Sequence, residues 1–246
     1  MQGSIRSIWR FLYFAFSTAF GLAGFFWAIL WGKSKEKAGL NFRRRWLNHV
    51  PHRLGLHMQL DGEPHAGPCL YVANHITYID PISILMHVDA TIVAKAEIAN
   101  WPMVGYSANI TGTIFVQREK KHSRTLAVNA VKDALFSGAS ILVFPEGTTS
   151  AGPQTLPFRP RTFETAKEAG IPVQPIALYY DDPAVAYIGA DTFLPHFFKL
   201  SGMKEIKGRI AFGPLLYGEG TCQKAQEWIN SEQSQYIKTT PLYEPA

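Results

Sequence analysis

This chain is poor in charge and almost without cysteine. Of its 246 residues, 17% are charged and 47% are hydrophobic, a balance that supports a sizeable core and excludes intrinsic disorder. The length suits one domain rather than two. Cys69 and Cys222 are its two cysteines. They make no disulfide framework, and neither has a cysteine or histidine partner at zinc-ligand spacing, so both are expected to be reduced and buried. A phosphate-binding loop of the Walker type is missing, and so is any HExxH helix. The nearest approach to a serine nucleophile elbow, GYSAN at Gly105 to Asn109, lacks the second glycine and follows no convincing strand. No internal repeat or low-complexity linker divides the chain.

The charge that is present leans positive, with a formal net charge of +5 and a pI near 9.1. That balance favours an anionic partner, whether a nucleic acid, a membrane surface or a phosphorylated substrate. Its placement bears on the choice. Phe11 to Gly32 is a run of 22 uncharged residues, roughly 33 Å long as a helix, which is about the thickness of a bilayer's hydrocarbon core. Arg6 and Arg10 flank it on one side and Lys33, Lys35 and Lys37 on the other. A cleaved signal peptide fits poorly, because Phe25, Phe26, Trp27 and Trp31 continue past the small-residue stretch GLAG. A buried core helix also fits poorly, with aromatic residues on every face. Two membrane readings remain: one spanning helix, or two short helices broken near Gly21 and Gly24 that lie in a single leaflet. Arg43, Arg44 and Arg45 follow, either as a magnet for anionic headgroups or as an ordinary solvated helix face. Basic residues gathered beside an apolar anchor, rather than along a groove-reading helix, speak against a nucleic-acid partner.

From Leu54 onward short apolar runs alternate with helix-like or turn-rich segments. GLHMQLDG, CLYVA, TIVA, GTIFV, SILVF, VQPIALYY and RIAFG read as strands. Pro81 to His87, Ser123 to Phe136 and Pro160 to Ala169 read as helices. The pattern predicts an α/β fold, a single domain with a largely parallel central sheet flanked by helices and an N-terminal membrane-anchoring helical segment. Ligands of open α/β sheets gather beyond the carboxyl ends of the strands. Two polar loops begin there: CLYVA runs into NHITYID, and SILVF runs into PEGTTS.

His75 and Asp80 lie five positions apart in the first loop. A histidine there can act as general base toward an alcohol, with a carboxylate orienting its second ring nitrogen. The pair meets only if the intervening residues form a turn into a helix with Pro81 in its first turn. The other reading has Asp80 capping that helix and His75 as a hydrogen-bonded core histidine. In GTIFVQR, Gly112 to Arg118, the arginine at a strand end suits an anionic headgroup. FPEGTTS, Phe144 to Ser150, packs a carboxylate, a glycine and three hydroxyls into one turn. IPVQPIAL, Ile171 to Leu178, opens a further strand.

In their order and spacing, NHITYID, GTIFVQR, FPEGTTS and IPVQPIAL resemble the four motif blocks of the glycerolipid acyltransferases typified by bacterial 1-acyl-glycerol-3-phosphate acyltransferase. The resemblance covers about the central half of the chain. It implies membrane-association helices over residues 1–50 and an acyltransferase domain over 51–246. It also implies that His75 is the general base, that Asp80 orients it, and that Arg118 and Lys95 bind the acceptor's headgroup. Gly112, Glu146, Gly147 and Thr148 fall at substrate-binding positions, with Asn74 and Thr149 beside them. The hydroxyl of a lysolipid would attack the thioester of acyl-CoA or acyl-carrier protein directly, with no cofactor, no metal and no covalent acyl-enzyme. WPMVGY would line the acyl groove. The expected place of action is the cytoplasmic face of the inner membrane. Two positions depart from the phosphatidate-forming pattern: Thr149 stands where an arginine is common, and Gln117 where an acidic residue is. Conversion of 1-acyl-glycerol-3-phosphate to phosphatidate is the first expectation. TTSAGPQTLPFRPRTFETA and YIGADTFLPHFFKL look similar to the branch that acylates lyso-ornithine lipid, which is the alternative; Arg159 or Arg161 would then supply a replacement cation. His196 is expected to be packed rather than a second base. A non-catalytic membrane-binding protein is the rival from another class, and it would have no use for the His75 and Asp80 pair.

Overall fold

A computed structural model describes residues 2–101, 103–117 and 120–239. All seven expected strands form: β1 (Leu56–Asp61), β2 (Leu70–Ala73), β3 (Thr91–Lys95), β4 (Ile114–Val116), β5 (Ile141–Val143), β6 (Val173–Tyr180) and β7 (Ile206–Phe212). They build one sheet in the order β1-β7-β6-β2-β5-β3-β4. Every neighbouring pair is parallel except β6 with β7. The central strands are short, nearly unbroken apolar runs because both faces of the sheet are covered. On one face α2 (Lys35–Arg53) and α3 (Asp80–Leu85) bring Leu47, Ile84 and Leu85 against Ala73, Leu142 and Ile176. On the other, α5 (Lys121–Phe136), α6 (Arg161–Glu168) and α8 (Thr221–Thr239) cover Leu70, Val72, Ile141 and Ala177. Two shorter helices, α4 (Val104–Ile110) and α7 (Phe193–Gly202), and two 3-10 turns, Ala96–Asn100 and Pro183–Val185, lie between the strands.

Cys69 and Cys222 are both free. Cys69 is buried at the start of β2, where burial pushes its thiol up to about 12. Cys222 is only partly buried, short of the full burial expected, because it sits in the first turn of α8.

The N-terminal segment is one unbroken helix, α1 (Gln2–Leu30). The break entertained near Gly21 and Gly24 does not occur. Gly21 instead lets α2 approach, since a Cβ there would come within 2.7 Å of the Phe42 ring. Gly32, at φ +79°, ends α1, with the Lys33 N–H reaching back to the Ala28 carbonyl at 3.0 Å; the chain then reverses into α2. The inward face of α1 is held along its length. Arg10 donates to the carbonyls of Met203 (2.7 Å) and Lys204 (3.0 Å), just beyond α7. Trp46 Nε1 donates to Thr18 Oγ1 at 3.0 Å, and Phe25 is buried beside Phe42. Its outward face exposes Ile8, Leu12, Phe16, Phe20 and Trp27.

The two glycines of α1 are therefore unequal. Gly21→Val is expected to cost about 1–3 kcal/mol by overpacking against Phe42. Gly24, with open space where its Cβ would be, should tolerate Gly24→Ala with a gain of roughly 0.5–1 kcal/mol in helix propensity. Thermal unfolding of the two variants measures the contrast.

Candidate functional site

The connections leaving β2 and β5 diverge. From β2 the chain crosses by α3 to β3, on the far side of β5, and from β5 it crosses by α6 to β6, on the far side of β2. These two strands are neighbours, and their crossover helices lie on opposite faces of the sheet. A crevice opens at such a switch point, and both polar loops end in it.

In the first loop, residues 74–79 form the turn between β2 and α3. Asp80 is fully buried. Its Oδ2 accepts from the Ile76 N–H (2.6 Å) and the Thr77 N–H (2.9 Å), and lies 2.8 Å from His75 Nδ1. The carboxylate thus closes the turn and meets the imidazole as well, so the two readings of Asp80 are not exclusive. A carboxylate can only accept, which places the proton on Nδ1 and leaves Nε2 with its lone pair. His75 is partly exposed, stacks on Phe144 at 4.2 Å between ring centroids, and lines a large cavity. An imidazole held in this way can take a proton from a hydroxyl that reaches Nε2.

The second loop is fastened to the first. Glu146 is buried and accepts from the His75 N–H (2.8 Å), the Ser150 hydroxyl (2.8 Å) and the Leu156 N–H (2.8 Å). Ser150 N–H donates to the His75 carbonyl at 2.7 Å. Burial pushes the Glu146 carboxyl above its ordinary range, against the opposing pull of those hydrogen bonds. With all its bonds directed into the protein, Glu146 acts as a staple between the loops. Gly147, at φ +78°, turns the chain, and the Arg159 guanidinium lies where its Cβ would be. A side chain there would be strained and would also strike Arg159.

The cavity holds about 610 Å³ and runs from His75 between the sheet and the α1–α2 hairpin. Its walls include Phe14 of α1, Trp46 of α2, Ile82 of α3 and Leu200 of α7, with Trp101 and Val104 from the WPMVGY stretch. Gly147, Thr148, Thr149 and Lys95 line it together with His75. Lys95 ends β3, with its Nζ 3.5 Å from Glu97 Oε1, and Glu97 also lines the cavity. The Thr149 hydroxyl donates to the Tyr187 carbonyl. Gly112, at φ +84°, turns the chain between the lining residues Thr111 and Thr113. Asn74 is buried away from the cavity. Its side chain donates to the Leu178 carbonyl (3.0 Å) and accepts from the Leu178 N–H (2.7 Å), tying β2 to β6. Arg159 sits behind Gly147, and Arg161 is exposed at the start of α6. Arg118 lies outside the described residues. His196 is buried with both ring nitrogens engaged, Nδ1 with the Tyr78 hydroxyl (3.2 Å) and Nε2 with the Ala186 carbonyl (3.0 Å).

Several residues of the site carry no sequence signal of that role. Phe144 heads the FPEGTTS block but reads as the end of an apolar strand, with no sign that its ring stacks on His75. Tyr180 reaches Asp80 from a distant strand, and Ser83 of α3 meets the same Tyr180 hydroxyl. Glu97 gains its place only because β3 ends at the cavity.

Fold and site together define an α/β protein that presents a histidine–carboxylate pair to a long apolar cavity at a sheet switch point. The family model for acyltransferases matches residues 56–179, about half of the chain, and the chain belongs to that family. It is 35% identical over 162 residues to the lyso-ornithine lipid O-acyltransferase of Pseudomonas aeruginosa, covering 64% of this chain and 62% of that one. It is 30% identical over 167 residues to the 1-acyl-sn-glycerol-3-phosphate acyltransferase of Neisseria meningitidis, covering 65% and 64%. These matches span about three fifths of the relatives' length. In fold the chain is similar to the 1-acyl-sn-glycerophosphate acyltransferase of Thermotoga maritima, with a TM-score of 0.72, 19% identity, and coverage of 96% of this chain and 98% of that one.

The staple has a measurable weight. Glu146→Gln sets an amide against donors and is expected to cost about 1.5–3 kcal/mol. The exposed Thr148→Ala should stay within about 0.5 kcal/mol of wild type. Urea unfolding distinguishes them.

Proposed function

We propose that this protein moves a fatty acyl group from a thioester, acyl-CoA or acyl-carrier protein, to the free hydroxyl of a lysolipid. The observation that carries this reading is the His75 ring, held through Nδ1 by a buried carboxylate and lining a cavity of the right character for an acyl chain. Nε2 takes the hydroxyl proton as the oxygen attacks the thioester carbonyl. The tetrahedral oxyanion is received by the Gly147–Thr149 turn, where the N–H groups of Thr148 and Thr149 are not spent on any described acceptor. Collapse expels the thiolate, which recovers the proton from His75, so the products are an ester and a free thiol. Donors aimed at the developing charge, together with a positioned base, are what such a step requires.

The acceptor that fits best is a lyso amino lipid of the ornithine kind. Lys95 and Glu97 offer both charge signs at one point of the cavity, suited to a headgroup that carries an ammonium and a carboxylate. Thr149 contributes no cation, and its hydroxyl is already engaged. The Pseudomonas relative, named for lyso-ornithine lipid, supports the same choice. Lysophosphatidate is the second reading, supported by Lys95 and by the Neisseria relative.

The exposed apolar face of α1 suggests attachment to a membrane in the plane of one leaflet. Its inner face is bound to α2 and α7, and α2 exposes Lys35, Lys37, Arg44 and Arg45, which would have to enter the bilayer if α1 crossed it. A soluble thioester donor would reach the protein from the cytoplasmic face, which supports that face as the working side.

His75→Ala and Asp80→Asn are expected to lower acyl transfer by about 10²–10⁴-fold. Normal turnover by His75→Ala overturns the base assignment. With acyl-CoA as donor, wild type should prefer lyso-ornithine lipid over lysophosphatidate by about tenfold or more, and Glu97→Gln should erase the preference by losing one charge-assisted contact. Preference for lysophosphatidate by wild type overturns the amino-lipid reading and leaves the reaction type standing.

A further inference from the structure

Asp80 has two carboxylate oxygens, and they are served differently. Oδ2 takes His75 Nδ1 and two backbone N–H groups. Oδ1 has one donor among the described residues, the Tyr180 hydroxyl at 3.0 Å. Tyr180 ends β6, is buried, and is not among the residues that line the cavity. Ser83, one turn along α3 from Asp80, lies 3.1 Å from the same hydroxyl. Both Asp80 and Ser83 are fully buried. Burial, reinforced by the neighbouring Asp80 charge, pushes the Tyr180 phenol well above its ordinary range, so it stays a donor.

We infer that Tyr180, supported by Ser83, is a positioning residue for the reaction: it fixes the Asp80 carboxylate and thereby the orientation and proton affinity of His75. This rests on the base assignment proposed above. A buried carboxylate oxygen deprived of its donor holds a proton more strongly. Without the Tyr180 hydroxyl, Asp80 would pull harder on the Nδ1 proton and stabilise the protonated pair, leaving less of the free base at a given pH. The ring would also lose the fixed plane of its partner. Besides Tyr180 of β6, the charged group in contact with the pair among the described residues is Glu146 of the turn after β5, bonded to the His75 N–H; Ser83 of α3 is neutral.

An internal comparison exists on the same strand. Tyr179 points to the opposite face, packs against Tyr236 at 4.4 Å between ring centroids, and its buried hydroxyl has no hydrogen-bond partner among the described residues. Tyr179→Phe therefore removes an equivalent atom without touching Asp80.

The test is steady-state acyl transfer against pH for the full chain carrying Tyr180→Phe, Ser83→Ala or Tyr179→Phe. Tyr180→Phe keeps the ring and is expected to lower kcat about ten- to hundredfold at neutral pH, with both KM values unchanged and the acidic limb of the profile moved to higher pH. Ser83→Ala should move the limb the same way by less, and Tyr179→Phe should leave it in place. A Tyr180→Phe enzyme with wild-type kcat and profile, or one that loses kcat with an unmoved limb, overturns the positioning role. Asp80→Asn, run alongside, separates the levels: if it is inactive while Tyr180→Phe is normal, only this inference fails, whereas an active Asp80→Asn removes the base assignment beneath it.

Discussion

The site depends on a carboxylate that has been taken wholly out of water. An isolated charge at the position of Asp80 would be costly to bury, and it is made tolerable by four donors converging from three places: two backbone N–H groups of its own turn, the His75 ring and a phenol from β6. Those same bonds define the path of residues 74–79. The turn, the tautomer of His75 and the start of α3 are therefore one arrangement, and no part of it can change without stranding a charge.

Glu146 repeats the device a strand away. It closes the PEGTTS turn on itself and onto the His75 backbone, so two loops from adjacent parallel strands behave as one rigid lip. Rigidity of this kind would serve the proposed acyl transfer, since positioning a nucleophile, a base and an oxyanion donor within about an ångström accounts for much of an enzyme's rate advantage. Opposite this polar lip the cavity is apolar and partly walled by α1 and α2. The helices that would attach the protein to a lipid surface thus also border the space where a lipid chain would lie.

Much of the architecture is legible from local pattern. The seven strands are visible because each is a short β-branched or aromatic run bounded by turn residues. Three helices, α3, α5 and α6, are visible as helix-like stretches between the strands, and α1 is visible from its long uncharged run. α8 carries little local signal because its sequence, TCQKAQEWINSEQSQYIKT, is largely polar and its packing face is carried by scattered residues such as Ala225 and Ile229. Gly21 illustrates the limits of local reading in the other direction: beside Gly24 it suggests a weak point, yet in the folded chain it is the contact that lets Phe42 close on α1.

What the sequence determined by itself was the identity of the polar loops and their common side of a parallel sheet, because strand polarity and hydrophobic pattern are local properties. The tertiary structure alone decided how each polar residue is spent. Glu146 and Asn74, which read as possible substrate ligands, direct their hydrogen bonds into the protein: Asn74 serves both backbone groups of Leu178 in β6, and Glu146 the backbone N–H groups of His75 and Leu156 in the loops beside it. Tyr180, unremarkable in the chain, becomes the partner of Asp80 because β6 lies beside β2 and ends level with α3. Contacts of this kind join residues 100 positions apart, and no spacing rule along the chain encodes them.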